Sequence, residues 1–270
     1  MVGITDRGIE GIDMAASKPV ETKIREKERL WFDELSMKEA ECKAKRRSVV
    51  IVPVGSVEEH GVHLPLCTDS LQPEYVAVEV ARKTGCLVAP PLRYGVCNST
   101  RGFPGTISIT FDALHRIMRD ILEEFIRNGF IRILVLSGHA GQTHMAALRL
   151  AAQEVVWNHQ TQSSKGRPRI MVCSDYDFAY ELRGKYFSQE DGHAGTIETS
   201  RVMNIRPELI KAKGLESYLK SPRFEVVADA ERYFPSGVIG DPTAASAQKG
   251  RMINKYVVKQ TEKLVEELKR

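Results

Sequence analysis

Residues 48–69 read SVVIVPVGSVEEHGVHLPLCTD, an apolar run that passes directly into a loop dense with carboxylates and imidazoles. The stretch Ser48-Val-Val-Ile-Val-Pro-Val54 is short, β-branched and apolar throughout. That is the pattern of a strand covered on both faces. Gly55 ends it, and from there helical and strand patterns alternate. Residues 71–84 (LQPEYVAVEVARKT) predict a helix capped by Asp69 or Ser70 and closed at Gly85. Cys86–Ala89 predicts a strand. Phe111–Asn128 predicts a strongly periodic helix opened by Thr110 and closed by Gly129, Ile131–Leu136 a buried strand, and Gln142–Trp157 a helix. After the polar loop TQSSKGRP (161–168) come a strand at Arg169–Cys173 and a last helix at about Ala245–Leu268. Upstream, Lys27–Lys45 reads as one or two helical pieces. Strands alternating with helices mean an α/β fold with a mostly parallel sheet covered on both faces, a three-layer αβα arrangement. Ligands of such sheets gather at the carboxyl ends of the strands. Residues 1–25 are polar, Gly-rich and without periodicity, and are expected to form a tail or arm ahead of one domain over 26–270.

Composition narrows the function. Hydrophobic residues at 42% and charged residues at 27% fit a globular chain, and the formal charge of +4 is small for 270 residues. The densest basic run, Lys43-Ala-Lys-Arg-Arg47, reads as a helix C-terminus, so no nucleic-acid partner is expected. The apolar stretches are too short to cross a bilayer, and the polar opening MVGITDRGIEGID is not expected to act as a secretory leader. Five scattered cysteines (Cys42, Cys67, Cys86, Cys97, Cys173) with no C-x-x-C pair argue against a disulfide framework, and a cytoplasmic location is expected. No G-x-G-x-x-G follows a strand, and Ser56 lacks a G-x-S-x-G elbow, which speaks against dinucleotide binding and serine hydrolysis.

The chemistry concentrates in Gly55–Asp69. In extended chain, side chains two apart face the same way, so Glu58 and His60 share one side while Glu59 points away. Asp69 lies far enough on for the loop to return a third donor, and Pro65 stiffens the turn. A second cluster, Ser137-Gly-His139, follows another strand end. Any one of these residues alone would read as a solvated loop polar; four candidate ligands at strand ends read as a metal site. Carboxylate and imidazole donors without thiolate suit zinc, manganese or iron. His115 and His144 read as ordinary helix residues, His159 as a dipole partner at a helix end, and nothing marks Cys67 as a nucleophile.

The string GSVEEHGVHLPLCTDS (55–70) resembles the signature of the creatininase family. Phe103-Pro-Gly-Thr-Ile-Ser108, Ser137-Gly-His-Ala-Gly-Gln142, His193-Ala-Gly-Thr-Ile-Glu198-Thr-Ser200, Gly240-Asp-Pro242 and Lys249-Gly250 are similar to its further segments, in the same order. The resemblance implies a creatininase-like fold and a metal-dependent amidohydrolase. Its substrate would be a cyclic amide or formamide, a small molecule, cut at a non-peptide C–N bond by a metal-bridging hydroxide. Carried over by position, Glu58 and His139 hold one of two divalent ions per chain, His60 the other, and Asp69 bridges them. His193 protonates the departing nitrogen. Glu198 completes the second ion's ligands or orients His193; the metal role is favoured because Gly141 stands where creatininase has a ligating glutamate. His63, Thr106 and Ser108 are expected to face substrate, with a structural role for His63 left open. Thr100 stands where many relatives have histidine. A homo-oligomer, a hexamer, is expected. The resemblance also admits a formamidopyrimidine-nucleotide deformylase of flavin or deazaflavin biosynthesis, a mycofactocin-type peptidase, or an inactive scaffold that kept the fold.

Overall fold

Strand β1 (Val50–Val54) lies inside a four-stranded sheet with β2 (Leu87–Val88), β3 (Arg132–Ser137) and β4 (Arg169–Ser174). The order is β2-β1-β3-β4, and every pairing is parallel. The computed structural model describes residues 29–160, 166–218, 222 and 224–270. The expected tail at 1–25 lies outside the described residues, as does part of the TQSSKGRP loop.

Burial alternates along the central strands as a sheet with two covered faces requires. Val50, Val52 and Val54 of β1, with Ile133 and Val135 of β3, pack into one core with Leu114, Met118 and Leu122 of helix α3 (Phe111–Arg127) and Leu148 of α4 (Gln142–Asn158). Ile51, Leu134 and Leu136 point the other way, onto Val76 and Val80 of α2 (Thr68–Thr84) and Ile253, Val257 and Val265 of α7 (Ala247–Lys269). Here and below, α1 is Met37–Lys45, α5 Asp175–Ala179 and α6 Thr196–Ile205. From β1 the chain moves outward to β2, then returns past β1 to β3 and β4. The direction reverses between β1 and β3, and ligands bind at such switch points.

Several expected boundaries shift, each for a local reason. Only Met37–Lys45 of the N-terminal piece is α-helical, opened by a capping box between Ser36 and Glu39; a 3-10 turn at Phe32–Glu34 precedes it. The strand at 86–89 shrinks to two residues, so Pro53 lies past the end of β2, and its carbonyl accepts from the Leu92 N–H at 3.0 Å. The last helix starts at Ala247 because Pro242–Ala244 forms a 3-10 turn and Ser246 supplies the cap. The expected cap of α2 at Asp69 or Ser70 is corrected: the helix begins at Thr68, and Asp69 sits inside its first turn. Pro73 explains why this was hard to read. It has no N–H to give the Asp69 carbonyl four residues back. That carbonyl faces Gly55 and Gly138 instead, where an added Cβ would come within 2.6 and 2.1 Å of it. The two glycines let the ends of β1 and β3 close on the turn that carries Asp69.

Helix α6 crosses α7 with the backbones nearly touching: a Cβ on Gly250 would lie 1.8 Å from the Ser200 carbonyl. Behind α6, the fully buried Arg201 donates to Asp175 at 2.6 Å and to Asn254 at 3.0 Å, tying α5, α6 and α7 together.

Candidate metal centre

Glu58 and His60 leave the carboxyl end of β1, His139 leaves that of β3, Asp69 comes from the first turn of α2, and Glu198 from the first turn of α6. The structure brings all five together. Asp69 stands between two groups. Its Oδ2 is 3.0 Å from His139 Nδ1, which is also 2.9 Å from Glu58 Oε2. Its Oδ1 is 3.1 Å from His60 Nε2, which lies 3.4 Å from Glu198 Oε2. All five residues are buried.

The hydrogen bonds on the far ring nitrogens decide what this arrangement can hold. His139 Nε2 is 3.0 Å from the Val96 carbonyl, and His60 Nδ1 is 3.1 Å from the Glu58 carbonyl. A carbonyl only accepts, so each of these nitrogens carries the hydrogen. The other nitrogen of each neutral ring then turns a lone pair toward carboxylate oxygens, acceptors facing acceptors. Only a positive centre reconciles them, a proton or a metal ion. Without metal, the surrounding carboxylates overcome burial and push His60 up to about 10 and His139 well above the usual imidazole range. Asp69, beside both imidazoles, is held well below the carboxylate range. Donors of this kind fit divalent ions: neutral imidazole plus carboxylate, with backbone carbonyls fixing the tautomers.

Glu198 reaches the site through an unusual backbone. Ala194 adopts φ 53°, and its N–H donates to Glu198 Oε2 at 2.6 Å. Asp191 accepts from the N–H groups of Thr196 and Ile197, satisfying the start of α6. His193 packs against His60 with ring centroids 4.3 Å apart and the rings tilted by 37°. Its Nε2 is 2.8 Å from the Glu59 carbonyl and 3.2 Å from Glu59 Oε1. Glu59 points away from the cavity, as its position predicts, yet its carboxylate ends behind His193. Sequence reading missed that contact, because nothing near residue 59 announces a partner at 193.

A cavity of about 320 Å³ opens over the site, with Glu58, Asp69, His139, His193 and Glu198 on one wall and Tyr176, Tyr180 and Phe234 on another. His60 lies behind it. The structure does not bring His63, Thr106 or Ser108 to this cavity. His63 Nε2 meets the Ala194 carbonyl and Thr199 Oγ1, an anchor between the first loop and α6. Thr106 accepts from the Glu59 N–H and Ser108 from the Cys97 N–H. Thr100 does line the cavity, and its hydroxyl donates to Glu58 Oε1. All five cysteines are unpaired, and burial pushes the Cys97 thiol up to about 12.

These charges set a pH dependence. A histidine raised in the folded state stabilises below its unfolded value, and that contribution fades as pH climbs through the folded value. For His60 the window runs from 6.5 to about 10. His144 and His63 are pushed down to about 3 and about 4 by burial, so they resist charging and weaken the fold as pH falls below 6.5. Thermal melts of chelator-treated protein should therefore show the midpoint falling on both sides of about pH 6.5, with the alkaline fall reversed by added divalent metal. A midpoint that stays flat from neutrality to pH 10 would contradict the charge assignment.

The Creatininase family model, described as creatinine amidohydrolase, matches residues 33–265. The chain belongs to the creatininase family and is a hydrolase of that family. It is 34% identical over 221 residues to the mycofactocin precursor peptide peptidase of Mycobacterium ulcerans (strain Agy99), covering 76% of this chain and 79% of that protein. It is 29% identical over 242 residues to the creatinine amidohydrolase of Pseudomonas putida, covering 83% and 91%. A crystal structure of creatinine amidohydrolase superposes with a TM-score of 0.80 at 25% identity, covering 88% of this chain and 97% of that one. A Zn-Zn mutant and a Mn form of creatininase superpose over the same 88% of this chain with TM-scores of 0.79 and 0.77, at 26% and 27% identity and 97% and 98% of their own lengths. Among the described residues, no helix is long and apolar enough to cross a membrane.

Proposed function

We propose that this protein hydrolyses an amide C–N bond of a small molecule, a cyclic amide or a formamide, using two divalent ions. One would be held by Glu58, His139 and Asp69, the other by His60, Asp69 and Glu198. The observation that carries this reading is Asp69, whose two oxygens face two separate imidazole lone pairs at 3.0 and 3.1 Å. Relatives solved in Zn-Zn and Mn forms support it. Bound there, such ions supply Lewis acidity toward a carbonyl oxygen and lower the pKa of water.

The chain's own residues do the rest. His193 faces the cavity, and with its Nε2–H held by Glu59 its Nδ1 is the atom that takes a proton from the attacking water and passes it to the departing nitrogen. Water adds across the bond: its hydroxyl goes to the carbonyl carbon, and the nitrogen leaves protonated. Tyr176, Tyr180, Val227, Phe234 and Ile239 shield the reacting centre from bulk water. The exposed apolar side chains Leu66 and Ile107 support the expected homo-oligomer, since self-association would bury them.

A second reading, cleavage near the end of a short peptide, is favoured by one observation. A second cavity of about 360 Å³ has Val62, Phe103, Leu215 and Val238 in its wall, where it fits an apolar side chain, and its Phe103 packs on Phe234 of the first cavity at 5.5 Å between ring centroids. The 34% identical relative is a peptide peptidase. Both readings are tested by incubating metal-loaded protein with cyclic amides, formamides and short peptides and following hydrolysis by mass spectrometry, as addition of one water to a ring or release of two fragments from an open amide. Hydrolysis of the small amides is expected. Cleavage of peptides alone would select the second reading, and no hydrolysis of any of them would overturn both.

A further inference from the structure

The loop 95–100 grips the Glu58–His139 pair with more than a hydrogen bond. Val96 gives its carbonyl to His139 Nε2–H, and Thr100 gives its hydroxyl hydrogen to Glu58 Oε1. Between them sits Cys97, 1% exposed, its backbone N–H fixed on Ser108 Oγ at 2.9 Å. The side-chain donor atoms of Glu58, Cys97 and His139 all lie within 4.8 Å of one another. Glu58 Oε2 is buried and faces His139 Nδ1 at 2.9 Å, an acceptor in the neutral ring, so this oxygen too calls for a positive centre. Glu58 and His139 line the substrate cavity, and Cys97 does not. The sulfur is thus within reach of the pair without itself lining the cavity.

We propose that Cys97 Sγ is a further ligand of the ion held by Glu58, Asp69 and His139, supplied from outside the cavity lining. The inference rests on the two-ion reading above. On binding, the sulfur gives its proton to solvent and its electron pair to the ion; a coordinating thiol is deprotonated outright. One soft thiolate among harder donors tilts the site toward zinc, cobalt and iron and against manganese. It also assigns a task to Ser108, which fixes the backbone of a ligand instead of touching substrate.

The test loads the metal-stripped full-length protein with cobalt(II) alone and records its absorption spectrum and bound metal. The wild type is expected to show a thiolate-to-cobalt charge-transfer band in the near ultraviolet. Cys97→Ser should lose that band, while Cys67→Ser should keep it. In zinc–manganese competition, Cys97→Ser should lose zinc preference by about 10–100-fold, at least the loss seen when outer partners of a ligand are removed. The wild-type spectrum carries the test even if the variant fails to fold. About two cobalt equivalents without the band would overturn the thiolate ligand and leave the two-ion reading standing. No bound cobalt would overturn both.

Discussion

Asp69→Asn is expected to cost the protein both metal ions, where Glu58→Gln costs one. The asymmetry follows from the geometry. Asp69 Oδ1 serves His60 and Glu198, and Oδ2 serves His139, which Glu58 also faces. An asparagine keeps the shape but gives each lone pair a weaker partner, or an N–H that opposes a cation. Turnover should fall by about 10³-fold or more, since removing a single transition-state donor already costs about 10²–10³. Elemental mass spectrometry of the two variants beside the wild type checks the prediction. An Asp69→Asn protein that keeps one firmly bound ion would show that the two groups are independent sites.

The second large effect concerns stability. Arg201 and Asp175 are both fully buried, and their pair stands behind the helix that carries Glu198. Burial pushes Asp175 up despite the guanidinium, and both Asp175 Oδ1 and Arg201 Nη1 have no protein partner. Arg201→Met would leave Asp175 unpaired in an apolar site and should cost about 3–5 kcal/mol of unfolding free energy, measured by denaturant titration. Adding Asp175→Asn should recover part of that loss, because it removes the stranded charge. A loss of under about 1 kcal/mol, the level of an exposed pair, would contradict the burial.

Much of this architecture is legible in the chain. The strands β1 and β3 show as β-branched or aliphatic runs because both faces of the sheet are covered, and Thr110 announces α3 by the cap it forms. Glu58 and His60 are legible because one strand end places them in a short stretch of chain, and His139 because it follows another strand end. The rest depends on long-range packing. Asp69 is legible as a third donor, but it also reads as a possible cap because Pro73 disguises the first turn of α2. The contact between Glu59 and His193 joins positions with no local link, and Ala194 holds Glu198 through a backbone conformation that alanine rarely adopts. Helices α5 and α6 are short and buried by neighbours, so no periodicity exposes them. Thr106 and Ser108 lie in a segment similar to the family's, which marks its importance without saying that their hydroxyls turn inward to backbone N–H groups.

The central claim is that Asp69 joins two ions. The most direct measurement is the anomalous scattering of a crystal of the protein reconstituted with zinc, recorded above and below the zinc edge. Two peaks are predicted, one on each side of Asp69, the first among Glu58, His139 and Cys97 and the second between His60 and Glu198. A single peak, or peaks away from Asp69, would contradict the account.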